Sequence, residues 1–244
     1  MIADPSSHLP AGPIWVGLLF RLDPGWHIYW RNAGDSGEPP KVQWQLPPGF
    51  AAGPIRWPTP VRLGSGSIVD YGYEGQVLLM SPIGVPRNSN AASVSVAADV
   101  KYIVCREICI PGKAHLAVAI PVGSDATSRT RDAWGELFRH TRAQLPRPAP
   151  ADWKITATAD KDRFALSVES GTRVSNANFF PDETGVVENS AMQGFAVEGD
   201  GFRLTLKKSQ QLLKPVSVLR GLLVISPGGG SDRAYEIAVP VSPR

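Results

Sequence analysis

The stretch "SVSVAADVKYIVCREICIPGKAHLAVAIPV", residues 93–122, decides the architecture. Val94, Val96, Ala98, Val100, Tyr102 and Val104 fall on one parity, and Ser93, Ser95, Asp99 and Lys101 on the other. This two-residue period belongs to a strand with one packed and one wet face. "HLAVAIPV" (115–122) reads as the returning strand, which puts Cys105 and Cys109, the two cysteines of the chain, at or near a hairpin tip. Cys105 continues the polar parity, so its sulfur is expected to face away from the core, where a partner can reach it.

The same pattern recurs on either side. "WHIYW" (26–30) alternates, "KVQWQL" (41–46) puts Val42, Trp44 and Leu46 on one face, and "QVLLMSPI" (76–83) reads as a buried strand. Turn signals such as "DPG" (23–25) and "PPGF" (47–50) separate these runs, and the 24 Gly and 23 Pro are spread between apolar stretches. Short strands at this spacing predict an antiparallel sandwich. Residues 124–145 read as the one helix, with Trp134, Leu137, Phe138 and Leu145 near helical spacing, and "PRPAP" (146–150) stops it as a stiff connector. Beyond it "RFALSVE" (163–169), "GFRLTLK" (201–207), "VSVLRGLLVI" (216–225) and "RAYEIAVPV" (233–241) form a second sandwich-like set. The expected class is all-β, with two β-sandwich domains at 1–123 and 151–244, joined by a helix and Pro-rich linker at 124–150.

A net charge of +3 with no Lys/Arg run argues against nucleic acid as a partner. No stretch approaches the roughly 20 apolar residues of a membrane-spanning helix, and "MIADPSSHLPAG" lacks the basic start and apolar run of a signal peptide. The bare Met is compatible with an excised segment, so a cytosolic home does not follow.

Three readings of the cysteine pair compete. As a staple, a bridge closing about five residues contributes roughly 2 kcal/mol at best in the chain-entropy model, and it ties no distant strands. As a metal clip it needs more ligands, and His8, His27, His115 and His140 show no ligand-like spacing. Thiol–disulfide exchange asks only for two sulfurs able to close a bond, one of them accessible. Spacing alone leaves all three open, because Cys-x-x-x-Cys is not the thioredoxin motif.

"GWHIYWRNAGDSGEPPKVQWQLPPGF", "IRWPTP", "DYGYEGQVLL" and "VCREICIPGKAHL", in this order, resemble the N-terminal periplasmic domain of the bacterial membrane disulfide reductase DsbD, above all its suppressor-of-copper-sensitivity (ScsB) type. The resemblance covers residues from about 14 to 122, and the rest looks like the second β domain of those longer relatives. It implies an immunoglobulin-like protein-disulfide reductase domain at the end of an electron relay in the periplasm. A thioredoxin-like domain of the same reductase would be the electron donor, and a thioredoxin-fold or peroxiredoxin-like periplasmic protein the acceptor. Cys109 would form mixed disulfides with partners and Cys105 would resolve them. "VDYGYEG" (69–75) matches a cap loop of Asp70, Tyr71 and Gly72, with Tyr71 the implied shielding ring, Asp70 a pKa modulator beside it, and His27 and Tyr29 further active-site neighbours. No cofactor or resident metal is implied. The membrane is reached only through segments missing from this chain, which is expected to be part of a longer protein. The alternatives are a non-catalytic immunoglobulin-like module and a copper-binding one. Here three residues, "REI", separate the cysteines, where the best-known members have five.

Overall fold

The computed structural model describes residues 1–6, 12–64, 66–86, 93–121, 131–228 and 230–243. His8 and the first part of the expected helix, 124–130, lie outside the described residues. The chain divides into two compact units: Met1–Trp30, Gly37–Pro60 and Gly72–Leu145 form one, and Arg31–Ser36, Val61–Tyr71 and Pro146–Arg244 the other.

Strands β1 (Ile2–Ala3), β2 (Ile14–Arg21), β3 (His27–Gly34), β4 (Lys41–Gln45), β5 (Ala51–Ala52), β6 (Val61–Leu63), β7 (Asp70–Glu74), β8 (Gln76–Gly84), β9 (Ser93–Cys105) and β10 (Cys109–Pro121) precede helix α1 (Arg131–Ala143). They form two sheets, one ordered β1-β2-β8-β5 and the other β10-β9-β3-β7-β6 with β4 also on β9. Their inner faces meet in the first unit, where Ile14, Val16 and Ile83 pack with Val94, Val96 and Ile120. Alternation explains this, since β9 buries Val94, Val96, Ala98 and Val100 and leaves Ser93, Ser95 and Lys101 exposed.

Helix α1 packs as part of the first unit: Phe138 is fully buried and clusters with Leu78 and Met80 of β8 and with Trp15 and Leu19 of β2. Those four strand residues have the parity opposite to the inner-face set, so the helix covers the outside of the smaller sheet. Gly17 makes room for it, because a Cβ there would lie 2.4 Å from Leu78 Cδ1 and 3.2 Å from Phe138 Cζ. Arg142 in the last turn pairs with the buried carboxylate of Asp4 and lies 5.5 Å from the Trp15 ring.

The second unit holds β11 (Arg147–Pro148), β12 (Lys154–Ala159), β13 (Arg163–Glu169), β14 (Val174–Pro181), β15 (Gly194–Glu198), β16 (Gly201–Lys207), β17 (Val218–Pro227) and β18 (Arg233–Pro243). Their order is β14-β17-β18-β12-β13-β16-β15, with β11 also on β18. β18 pairs β17 through Arg233–Pro240 and then β12 through Val241–Pro243. The sheet folds at this change of partner, so Phe164, Leu166, Phe202 and Leu204 face Phe179, Leu219, Leu223 and Ile237 across one core.

Candidate redox site

The hairpin of β9 and β10 sets Cys105 opposite Cys109 in register, followed by Val104–Ile110, Ile103–Pro111 and Tyr102–Gly112. Opposed residues on antiparallel strands point to the same side. A disulfide joins the pair, with Cα atoms 4.1 Å apart. Arg106, Glu107 and Ile108 close the tip, where Arg106 N donates to Ile108 O at 3.0 Å. The shorter spacer still turns the chain because the register continues unbroken up to the cysteines.

The two cysteines differ in exposure. Cys105 has the outward parity that the alternation predicts, but it is 3% exposed, so the expectation of an accessible Cys105 is corrected. The reason is lateral cover: at this end β9 is a central strand, flanked by β10 and by β3 through the His27–Cys105 and Ile28–Val104 pairs. Cys109 opens the edge strand β10 and is exposed. Ile108 and Ile110, on either side of it, are 66% and 44% exposed.

Tyr29 stands against this sulfur. Its ring is fully buried, its hydroxyl lies 3.8 Å from Cys109 Sγ, and His27 meets the ring edge-on with centroids 5.2 Å apart. A disulfide sulfur carries no hydrogen, so the phenol is the donor. Gly37 lies flat beneath the ring: its φ is +66° and a Cβ would fall 2.1 Å from Tyr29 Cζ. Four of the predicted residues, His27, Tyr29, Cys105 and Cys109, therefore come together in the first unit.

Asp70 and Tyr71 belong to the second unit. Asp70 accepts from Ser36 N and Ser36 Oγ, both at 2.8 Å. Tyr71 donates to Asn189 Oδ1 at 2.8 Å and packs edge-on against Phe180 at 5.1 Å. Asn189 in turn donates to Asp35 Oδ1 at 2.8 Å, and its carbonyl accepts from Arg62. Burial pushes the Tyr71 phenol up to about 12, against the lowering effect of Arg62 and with a smaller raising effect of Asp35. Gly72, in β7, is buried in the first unit.

Sequence reasoning missed Gly37, Ile108 and Ile110 as site residues. The signal for the isoleucines was visible, because apolar side chains at a hairpin tip have no core to enter. Gly37 gave none, since its role depends on a ring eight residues away in β3.

Beneath the tip, on the inner face, an open groove of about 440 Å³ is lined by Phe20, Trp26, Tyr102, Val104 and Ile110 among others. Among the described residues no group of three or more His, Cys, Asp and Glu is placed to hold a metal ion. Among them, too, no helix is long and apolar enough to cross a membrane.

A β-sandwich carrying a disulfide on a hairpin tip, with Cys109 exposed and Cys105 buried, has the geometry that thiol–disulfide exchange requires. Residues 3–121 match the family model of the thiol:disulfide interchange protein DsbD, N-terminal, and the resemblance drawn from the four motifs is thereby shown. Across both units the chain is similar in fold to the crystal structure of the N-terminal periplasmic domain of ScsB from Proteus mirabilis. That match has a TM-score of 0.70 at 16% identity and covers 98% of this chain and 91% of that one. A search of curated proteins gives no match.

Proposed function

We propose that this chain is the periplasmic domain of a membrane disulfide reductase and reduces partner proteins through Cys105 and Cys109. The observation that carries this reading is the unequal exposure of the two bonded cysteines, Cys105 buried and Cys109 exposed. In the reduced protein the Cys109 thiolate attacks a partner disulfide, forming a mixed disulfide while the partner's second sulfur leaves as a thiolate and takes up a proton. The Cys105 thiolate then attacks Cys109 Sγ, which restores the Cys105–Cys109 bond and releases the partner's other thiol. Two electrons pass from the dithiol to the partner. A covered Cys105 resolves without meeting the partner, and the exposed Ile108 offers apolar contact beside Cys109. A thioredoxin-like domain of the same reductase would reduce the pair again, and the acceptor would be a periplasmic thioredoxin-fold or peroxiredoxin-like protein.

The cap loop of Asp70, Tyr71 and Gly72, with Tyr71 as its shield, rests on the resemblance, whereas Tyr29 is supported by its contact with Cys109. With the function goes the proposal of two immunoglobulin-like domains, in which α1 completes the first.

The test is partner trapping. Cys105→Ser should accumulate mixed disulfides through Cys109 on a non-reducing gel of periplasmic extract, and Cys109→Ser should accumulate far fewer. Adducts in neither variant, or through Cys105 alone, would overturn the proposal.

A further inference from the structure

On the outer side of the hairpin, the row beyond Ile103–Pro111 is Lys101 opposite Lys113, and Lys41 of β4 is in register on the other side of Lys101. Three like charges thus stand side by side across β4, β9 and β10, an arrangement that destabilises a sheet. All three lysines are exposed. Glu38 pairs with Lys41, and Asp99 in the next row bonds to His115 Nδ1 at 2.8 Å and to Gln45 Nε2 at 2.6 Å. The three lysines outnumber these two neighbouring carboxylates, so the row keeps excess positive charge.

The row shares its face with the disulfide. Lys101 and Lys113 are four residues from Cys105 and Cys109, about 14 Å along the strands at roughly 3.4 Å per residue. A protein docked on Cys109 covers about 800 Å², a disc of about 16 Å radius. Lys101 and Lys113 therefore lie at the rim of a footprint centred on Cys109, and Lys41, two strands from β10 and about 17 Å away, just outside it, where charges govern encounter rate and salt dependence.

We propose that Lys41, Lys101 and Lys113 form a docking rim for a redox partner whose disulfide is bordered by Asp and Glu. The proposal rests on the exchange reading above and names the charge of the partner's border. It is tested on the reduced full chain with two synthetic peptides, each carrying one cysteine as a mixed disulfide with thionitrobenzoate. One has four Glu at positions three to six residues from the cysteine, the other four Lys. Cys109 attacks the peptide sulfur, coloured thionitrobenzoate leaves as the thiolate, and Cys105 then releases the peptide thiol.

At low ionic strength the acidic peptide should react faster than the basic one by about five-fold or more, and the ratio should shrink as salt is added. In the Lys41→Gln, Lys101→Gln, Lys113→Gln variant the ratio should fall towards one, with the rate for neutral hydroxyethyl disulfide unchanged. Removing opposed like charges favours folding, so the variant is expected to fold. Equal rates for the two peptides, or a preference that survives in the variant, would overturn the proposal. A chain that reacts with no disulfide at all refutes the exchange reading instead. The rim is then judged by titrating the acidic peptide, with Ser for Cys, into the oxidised protein. Salt-sensitive amide shifts at Lys101 and Lys113 support it, and their absence overturns it.

Discussion

The hydroxyl of Tyr29 lies 3.8 Å from Sγ of Cys109, held there by a ring with no exposed surface. When the disulfide opens, the same phenol is placed to donate to the Cys109 thiolate, and a hydrogen bond to a charged group contributes about 1.5 kcal/mol or more. Tyr29→Phe in a Cys105→Ser background should raise the Cys109 pKa by about one pH unit. The check is the pH dependence of alkylation. In the two-cysteine protein the same change should make the reduction potential more negative, since the bond it removes is stronger to the thiolate than to the disulfide sulfur. An unchanged alkylation profile would remove Tyr29 from the chemistry.

Gly37 fixes that ring from below. Gly37→Ala puts a methyl where the phenol lies, at a backbone φ of +66° that L side chains rarely adopt. The expected cost is about 1 to 3 kcal/mol. Urea unfolding measures it, and the rate of disulfide exchange should fall with it. Full stability and rate would show that the loop yields without disturbing Tyr29.

Phe138 tests whether the helix is a linker or part of the first domain. It is fully buried with Leu78 and Met80. Phe138→Ala should cost about 3 to 5 kcal/mol, and a fragment of residues 1–123 should unfold at lower urea than one of residues 1–145. Equal midpoints for the two fragments would assign α1 to the linker.

Tyr71 makes stability depend on high pH. Its folded pKa of about 12 lies above the ordinary 10.0 of an unfolded phenol. The neutral phenol's contribution is complete below about pH 10 and is lost as pH rises through about 12, on the order of 2 to 3 kcal/mol in all. Between about pH 9 and about pH 11 the urea midpoint should drop less in Tyr71→Phe than in the parent. Equal drops would assign the pH dependence to other groups.

Much of the candidate site was legible because it is local. The alternation through β9, a three-residue spacer and a returning strand place Cys105 against Cys109, and the aromatic turn puts His27 and Tyr29 on one parity. Which sulfur is open was not legible. Parity says which way a side chain points, but not whether a neighbouring strand covers it.

The sequence by itself determined the all-β class, the strand faces and the nearness of the two cysteines, since each follows from a period of two or from a few adjacent residues. Only the tertiary structure decided the rest. Cys105 is covered because β9 is central at its end, while Cys109 is open because β10 is an edge. Phe138 is buried because β2 and β8 present an apolar outer face, and Tyr71 finds Asn189 across 118 residues of chain. These are contacts between residues far apart in sequence, and no local pattern encodes which distant side chain will arrive.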